Sequence, residues 1–175
     1  MPDRTKSPTR TLVVMRHSKA EQGGSTDAER ELTSRGRADA VAAGSWLAAH
    51  GLIPDSALVS AATRTQQTWT AVAEGAGWDL EPTFDRGLYV ADPDTALDLL
   101  RMLDDASTTA IVIGHNPTMA YLAQLLDDGE GDVEAGNAMA SGFPTSALAV
   151  FHYAGDWADL GPGSATVTGF HVGRG

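Results

Sequence analysis

Short apolar runs alternate along this chain with longer amphipathic ones. The runs TLVVM (11–15), SALVS (56–60), TTAIVIG (108–114), TSALAVFHY (145–153) and SATVTGFHV (164–172) are rich in Val, Ile, Thr and aromatic residues and predict strands. Residues 79–85 predict another, which Pro82 confines to an edge or a loop. Between the strands, apolar residues recur at helical spacing. Thr33 is placed to cap a helix that turns Ala40, Val41, Gly44, Leu47 and Ala48 inward and ends at Gly51. A second helix runs from about Ala62 to Glu74 with Trp69, Val72 and Ala73 inward. A third opens at Asp92-Pro93, a cap followed by proline, and turns in Ala96, Leu97, Leu100 and Leu103. A fourth follows Pro117 and uses Met119, Leu122, Ala123 and Leu126.

This alternation predicts an α/β fold of three layers, with a mostly parallel central sheet covered by helices on both faces. The last two strands have no helix between them and predict an antiparallel C-terminal hairpin joined by AGDWADLGPG. Residues 127–142, DDGEGDVEAGNAMASG, are acidic and glycine-rich and predict a mobile, solvated loop.

Composition narrows the picture. A chain of 175 residues, 42% hydrophobic, suits one domain with one substantial core. We expect that domain over residues 11–175, after a flexible N-terminal segment 1–10 that is polar and carries two prolines. No apolar run is long enough to cross a bilayer and no signal-peptide pattern is present. Cysteine is absent, which excludes disulfides, a thiol nucleophile and thiolate metal sites, and fits the cytoplasm as the expected location. The net charge of −11 repels nucleic acid and acidic membrane surfaces, so neither is an expected partner. The same field repels phosphate. An anionic ligand would need a local cluster of arginines.

Such a cluster is available. In open α/β sheets, ligands bind beyond the carboxyl ends of the parallel strands. The first strand ends in Arg16-His17, the second runs through Ala61-Ala62-Thr63 into Arg64 and Thr65, and the TTAIVIG strand ends in His115-Asn116-Pro117. Two arginines and two histidines can therefore converge at one sheet edge. Arginine is a permanently charged fork matched to phosphoryl oxygens. A neutral imidazole beside a phosphoryl group held by arginines is a nucleophile aimed at phosphorus, and a second histidine can donate to its oxygens as charge develops. Taken singly, each motif also reads as an ordinary turn or helix start; their order at successive strand ends favours a phosphate site.

The segments VMRHS (14–18), ELTSRG (31–36), SAATRTQQT (60–68) and IGHNP (113–117) resemble the histidine phosphatase superfamily, the group that includes phosphoglycerate mutases. Short length, Lys19-Ala20 after RHS, GLYVADP (87–93) and FPTSALAVF (143–151) are similar to its small SixA-type phosphohistidine phosphatase branch. The resemblance spans about residues 11–173 and implies a phosphoglycerate mutase-like fold. It implies that His17 is the nucleophile, that Arg16 and Arg64 bind phosphoryl oxygens, and that His115 completes the pocket as a catalytic and phosphate-binding residue. Ser18 stands where the wider superfamily has glycine. It tightens the space around His17, and a backbone carbonyl is the expected partner of that ring's other nitrogen. Asn116 is expected to fix its loop, and Ser60 and Thr65 to supply supporting hydrogen bonds.

Larger relatives place a glutamate acid near the site. The corresponding stretch here, TFDRGLYVAD, has none, and Asp85 is the nearest candidate. A weak acid disfavours alkoxide leaving groups and matters less for a phosphoramidate. Lys19 is open to two readings, substrate charge or simple solvation. Arg35 is expected to be held by a local carboxylate and lies outside the site. The function implied is a phosphatase that needs no metal or other cofactor, works through a phosphohistidine intermediate, and acts on phosphohistidine in a phosphorylated protein. The alternatives are a broad phosphatase for small phosphoesters and a non-catalytic phosphate- or phosphohistidine-binding module.

Overall fold

Six strands form one sheet in this computed structural model, which describes residues 7–23 and 26–175. In chain order the elements are β1 (Thr9–Arg16), α1 (Ser34–Ala49), β2 (Ser56–Ser60), α2 (Thr63–Ala76), β3 (Thr83–Asp85), α3 (Arg86–Tyr89) and α4 (Pro93–Arg101), followed by β4 (Thr109–Gly114), α5 (Thr118–Leu126), α6 (Val133–Ser141), β5 (Ala147–Ala154) and β6 (Ala165–Val172). The sheet order is β3-β2-β4-β1-β5-β6. The pairs β2–β3, β2–β4 and β1–β4 are parallel, and β5 runs antiparallel to both β1 and β6. This is the expected mixed sheet with a C-terminal hairpin, and the proline-limited strand lies at the edge. Among the described residues, no helix is long and apolar enough to cross a membrane.

Strand alternation divides the core into two layers. Leu12, Val14, Leu58, Ala110, Val112, Ala149 and Phe151 pack with α4, α5 and α6 on one face. Val13, Met15, Val59, Ile111, Ile113 and Val150 pack with α1 and α2 on the other. Full burial of a side chain such as Phe151 or Leu12 contributes about 1.5–3 kcal/mol.

Two glycines set the spacing of α1 and α2. A Cβ at Gly44 would lie 2.0 Å from the Val72 carbonyl oxygen, and one at Gly75 would lie 2.1 Å from that of Val41. The backbones meet there, which centres the buried stripe of α1 on Ala40, Ala43, Gly44 and Leu47 and leaves Ala48 exposed, unlike the sequence expectation.

Two segments differ from expectation more widely. Residues 127–142 contain α6 rather than only a loop. Asp132 caps it by accepting from Ala135 N at 2.7 Å, and Ala135 and Met139, one turn apart, are buried in the core. That short apolar spacing was hidden by the acidic, glycine-rich composition around it. The first strand also begins two residues before the apolar run. Arg10 is buried because its guanidinium donates to the carbonyls of Gly155, Asp105 and Ser107 and pairs with Asp156 at 3.4 Å. The first six residues of the N-terminal segment lie outside the described residues.

The sheet topology also decides where a ligand can enter. The connection from β1 leads over one face to β2, beyond β4, and the connection from β4 leads over the other face to β5, beyond β1. A crevice opens between such strand ends. Arg16 pairs with Gly114 in the register, so the next residues on both strands, His17 and His115, emerge side by side.

Candidate active site

His17 leaves β1 with its N–H donated to the Gly114 carbonyl at 3.0 Å. Its own carbonyl accepts from Ser146 N at 3.1 Å. The ring is held as well. His17 Nδ1 lies 2.7 Å from the Ser18 carbonyl, which can only accept, so Nδ1 carries the proton. Burial, with Arg64 and Arg16 nearby, pushes the pKa of His17 down to about 4 even though the Ser18 carbonyl opposes the shift. The ring is neutral at pH 7, and Nε2 keeps its lone pair.

Ser18, the departure from glycine, is fully buried and engaged. Its N–H donates to Thr68 Oγ1 at 3.0 Å and its hydroxyl lies 2.5 Å from Ser146 Oγ. Ser146 adopts a left-handed backbone with φ of 64° at the entrance to β5, a conformation uncommon for a residue with a side chain. Three bonds around it explain its retention there: to His17, to Ser18, and from Gly173 N to its carbonyl at 3.0 Å. Sequence inspection did not single out Ser146 within FPTSALAVF.

The second histidine faces the first, with ring centroids 5.3 Å apart. His115 Nδ1 accepts from Arg64 Nη2 at 3.2 Å, since a guanidinium can only donate, and Nε2 donates to Ser60 Oγ at 2.7 Å. Burial first, then His17 and Arg64, pushes its pKa down to about 3. Ser60 thus fixes the tautomer of His115. Thr65 fixes the turn beneath it, its hydroxyl 2.7 Å from the carbonyls of both Ser60 and Ala62. Asn116 ties its loop to the end of α6, donating to the Phe143 carbonyl at 2.7 Å, and its Oδ1 accepts from Ala120 N at 3.2 Å.

Both arginines are half or more enclosed and incompletely bonded. Arg16 Nη1 donates to the Phe143 carbonyl at 3.2 Å. Arg64 Nη1 donates to the Asp27 carbonyl at 2.8 Å and Nη2 to the Asp27 carboxylate at 3.1 Å. Their Nε atoms are buried with no partner among the described residues. A buried donor left unpaired is destabilising, and a cation held by its far edge with Nε vacant is arranged for an anion.

The structure brings His17, His115, Arg16, Arg64, Ser18, Ser60, Thr65 and Asn116 together. Asp85 is occupied elsewhere: its Oδ1 accepts from Leu88 N at 3.2 Å as the cap of α3, and it lines a surface groove beside Leu58, Leu99 and Met102. The carboxylate that reaches Arg64 is Asp27, from a single turn of 3-10 helix over Asp27–Glu29. Besides Arg64, it accepts from Arg30 at 3.0 Å and from the Tyr89 hydroxyl at 2.5 Å. Tyr89 and Arg30, with Arg64, hold its pKa well below the usual carboxylate range, so it is an anchor rather than a proton donor. Tyr89 also packs its ring against that of His115 in a T-shaped pair, with centroids 5.4 Å apart. Sequence reasoning missed Asp27 and Tyr89. Arg35 lies apart, paired with the buried Asp39 at 3.4 Å.

Neutral buried histidines are expected to make the protein sensitive to acid. The unfolded chain takes up protons near pH 6.5, while folded His17 resists to about pH 4, so stability falls as pH drops through that interval. His17 alone accounts for about 3 kcal/mol by pH 4, and His115 adds in the same direction. Urea denaturation midpoints are expected to fall steadily from pH 7 to pH 4.5. A flat midpoint over that range contradicts the neutral, buried pair.

Comparison with known proteins places the chain among relatives of one fold. The family model described as the histidine phosphatase superfamily (branch 1) matches residues 12–89. An uncharacterized protein of Mycobacterium tuberculosis is 40% identical over 162 residues, covering 91% of this chain and 100% of that protein. A solved structure from Nakamurella multipartitia, provisionally assigned as the phosphohistidine phosphatase SixA, is 30% identical and superposes with a TM-score of 0.84, covering 96% of this chain and 98% of the other. A similarly assigned SixA from Agrobacterium tumefaciens is 28% identical with a TM-score of 0.77, covering 94% and 97%.

Proposed function

The chain belongs to the histidine phosphatase superfamily and is a phosphatase of the SixA-type branch; from that premise we propose that it removes the phosphoryl group from phosphohistidine in proteins, through a phosphorylated His17. One observation carries the proposal. A neutral His17, locked through Nδ1 onto Ser18, sits beside two arginines whose buried Nε atoms lack partners.

The reaction is two in-line transfers. Arg16 and Arg64 take the phosphoryl oxygens. The Nε2 lone pair of His17 forms a bond to phosphorus as the substrate's P–N bond breaks, and the substrate imidazole, protonated on its other nitrogen, departs neutral. His17 is then an N-phosphoimidazolium, whose Nδ1–H and positive charge are stabilised by the Ser18 carbonyl. Water attacks phosphorus, the P–Nε2 electrons return to His17, and the water's proton passes to the departing phosphate.

His115 has a role that changes with the ligand. In the free protein its Nδ1 orients Arg64. An arriving dianion adds negative charge that opposes the effect of the arginines and raises its proton affinity. Protonation at Nδ1 then makes the same nitrogen a donor to a phosphoryl oxygen. The anchoring of Asp85 and the ionised state of Asp27 leave no ready carboxylic acid for an alkoxide. A phosphoramidate needs none, which favours phosphohistidine over phosphate monoesters.

The test uses a phosphohistidine protein carrying labelled phosphate. Rapid mixing followed by alkaline quench is expected to trap label on His17, base-stable and acid-labile. The value of kcat/KM for a phosphohistidine peptide is expected to exceed those for simple phosphate monoesters by about 10²-fold, the scale of one missing acid catalyst. Faster turnover of the monoesters overturns the substrate assignment, and phosphate binding with no trapped intermediate overturns catalysis through His17.

A further inference from the structure

Positive charge is unevenly placed on this acidic protein. Among the described residues, every lysine and arginine forms an ion pair with a carboxylate except Arg16, Lys19 and Arg86. Arg16 and Lys19 flank His17 in the chain. Arg86 is exposed, opens α3, and its guanidinium has no partner among the described residues. Its element is the one that brings Tyr89 against His115 and Asp27.

A cavity of about 240 Å³ lies beside it, lined by Ala28, Ala61, Ala62, Arg86 and Tyr89. Three alanines and an aromatic ring make the lining apolar, and the guanidinium is its one charged group. Tyr89 is a wall shared with the phosphoryl site: the Arg64 guanidinium lies over its ring at 5.8 Å, and the ring meets that of His115 in a T-shaped pair. A group bound in this cavity is separated from the phosphorus-binding residues by a single aromatic ring.

We infer that the cavity and Arg86 form a subsite for the substrate residues next to the phosphohistidine, an apolar side chain entering the cavity and a neighbouring carboxylate pairing with Arg86. The inference rests on the phosphohistidine reading of the active site. The charge distribution makes Arg86 selective. A net charge of −11 repels acidic partners in general, so a carboxylate is tolerated only where an unpaired cation waits for it. Alanines at 28, 61 and 62 leave room that larger side chains would fill.

Four phosphohistidine peptides test this, carrying Leu-Glu, Leu-Gln, Gly-Glu or Gly-Gln beside the modified residue, with phosphoimidazole as the substrate that lacks neighbours. For wild type, kcat/KM is expected to favour Leu-Glu over Leu-Gln by about fivefold, the scale of an exposed ion pair. Arg86→Gln is expected to bring that ratio to about one while keeping the preference for Leu over Gly. Ala28→Leu is expected to do the reverse. Equal Glu/Gln ratios in wild type and Arg86→Gln overturn the subsite. So does equal hydrolysis of all four peptides by a wild type that also hydrolyses phosphoimidazole. If wild type hydrolyses neither phosphoimidazole nor any peptide, the phosphohistidine reading itself fails, and the subsite with it.

Discussion

Replacing His17 with alanine is expected to lower turnover of phosphohistidine substrates by about 10⁴-fold or more and to eliminate the labelled phosphoenzyme. The size of the loss follows from what the ring supplies. In the proposed mechanism its Nε2 is the nucleophile, and without it phosphorus must be attacked directly by water. Folding is not expected to fail, because the backbone bonds of residue 17 to Gly114 and Ser146 remain, and the removed ring is a polar group that was buried without charge. The variant should keep its affinity for vanadate or phosphate within a few-fold, since both arginines persist. Stopped turnover together with retained anion binding separates a missing nucleophile from a damaged site. A variant that hydrolyses the peptide at the wild-type rate would end the phospho-His17 mechanism.

Replacing Arg64 with alanine is expected to lower kcat/KM by about 10³-fold and to weaken phosphate and vanadate binding. Three physical effects add. The substrate dianion loses a permanently charged fork. His115 loses the donor at its Nδ1, so its ring is held by Ser60 alone. Asp27 loses a cation and, although still held by Arg30 and Tyr89, leaves negative charge nearer the pocket. Arg64→Lys is expected to recover only part of the activity, because one ammonium cannot reach Asp27, His115 and a phosphoryl oxygen together as the planar guanidinium does. The measurements are kcat/KM on a phosphohistidine peptide and the rise in melting temperature with added vanadate. Wild-type kinetics in the alanine variant would remove Arg64 from the phosphate site.

The degree to which this site was legible depends on how local its signals are. Arg16, His17, Arg64 and His115 stand within one or a few residues of strand ends whose apolar runs mark them, so their convergence follows from the parallel sheet. The support beneath Arg64 was not legible. Asp27 meets Tyr89 across 62 residues of chain, and no pattern near either announces it. Asp85 attracted attention because it follows a strand and stands in the region where relatives carry an acid. The fold spends its carboxylate on the α3 backbone, because an orphan N–H at a helix start is the nearest donor.

The sequence by itself determined the alternation of strands and helices, the two-sided sheet, the hairpin at the end and the placement of His17, His115, Arg16 and Arg64 at or just beyond the strand ends. These depend on side-chain periodicity and on residues adjacent in the chain. Only the tertiary structure decided that Ser146 braces the loop at His17, that α6 exists and lends the adjoining Phe143 carbonyl to Arg16, and that Asp27 rather than Asp85 meets Arg64. Each of these is a hydrogen bond or a burial between distant segments, and its energy exists only after the sheet has brought the partners within reach.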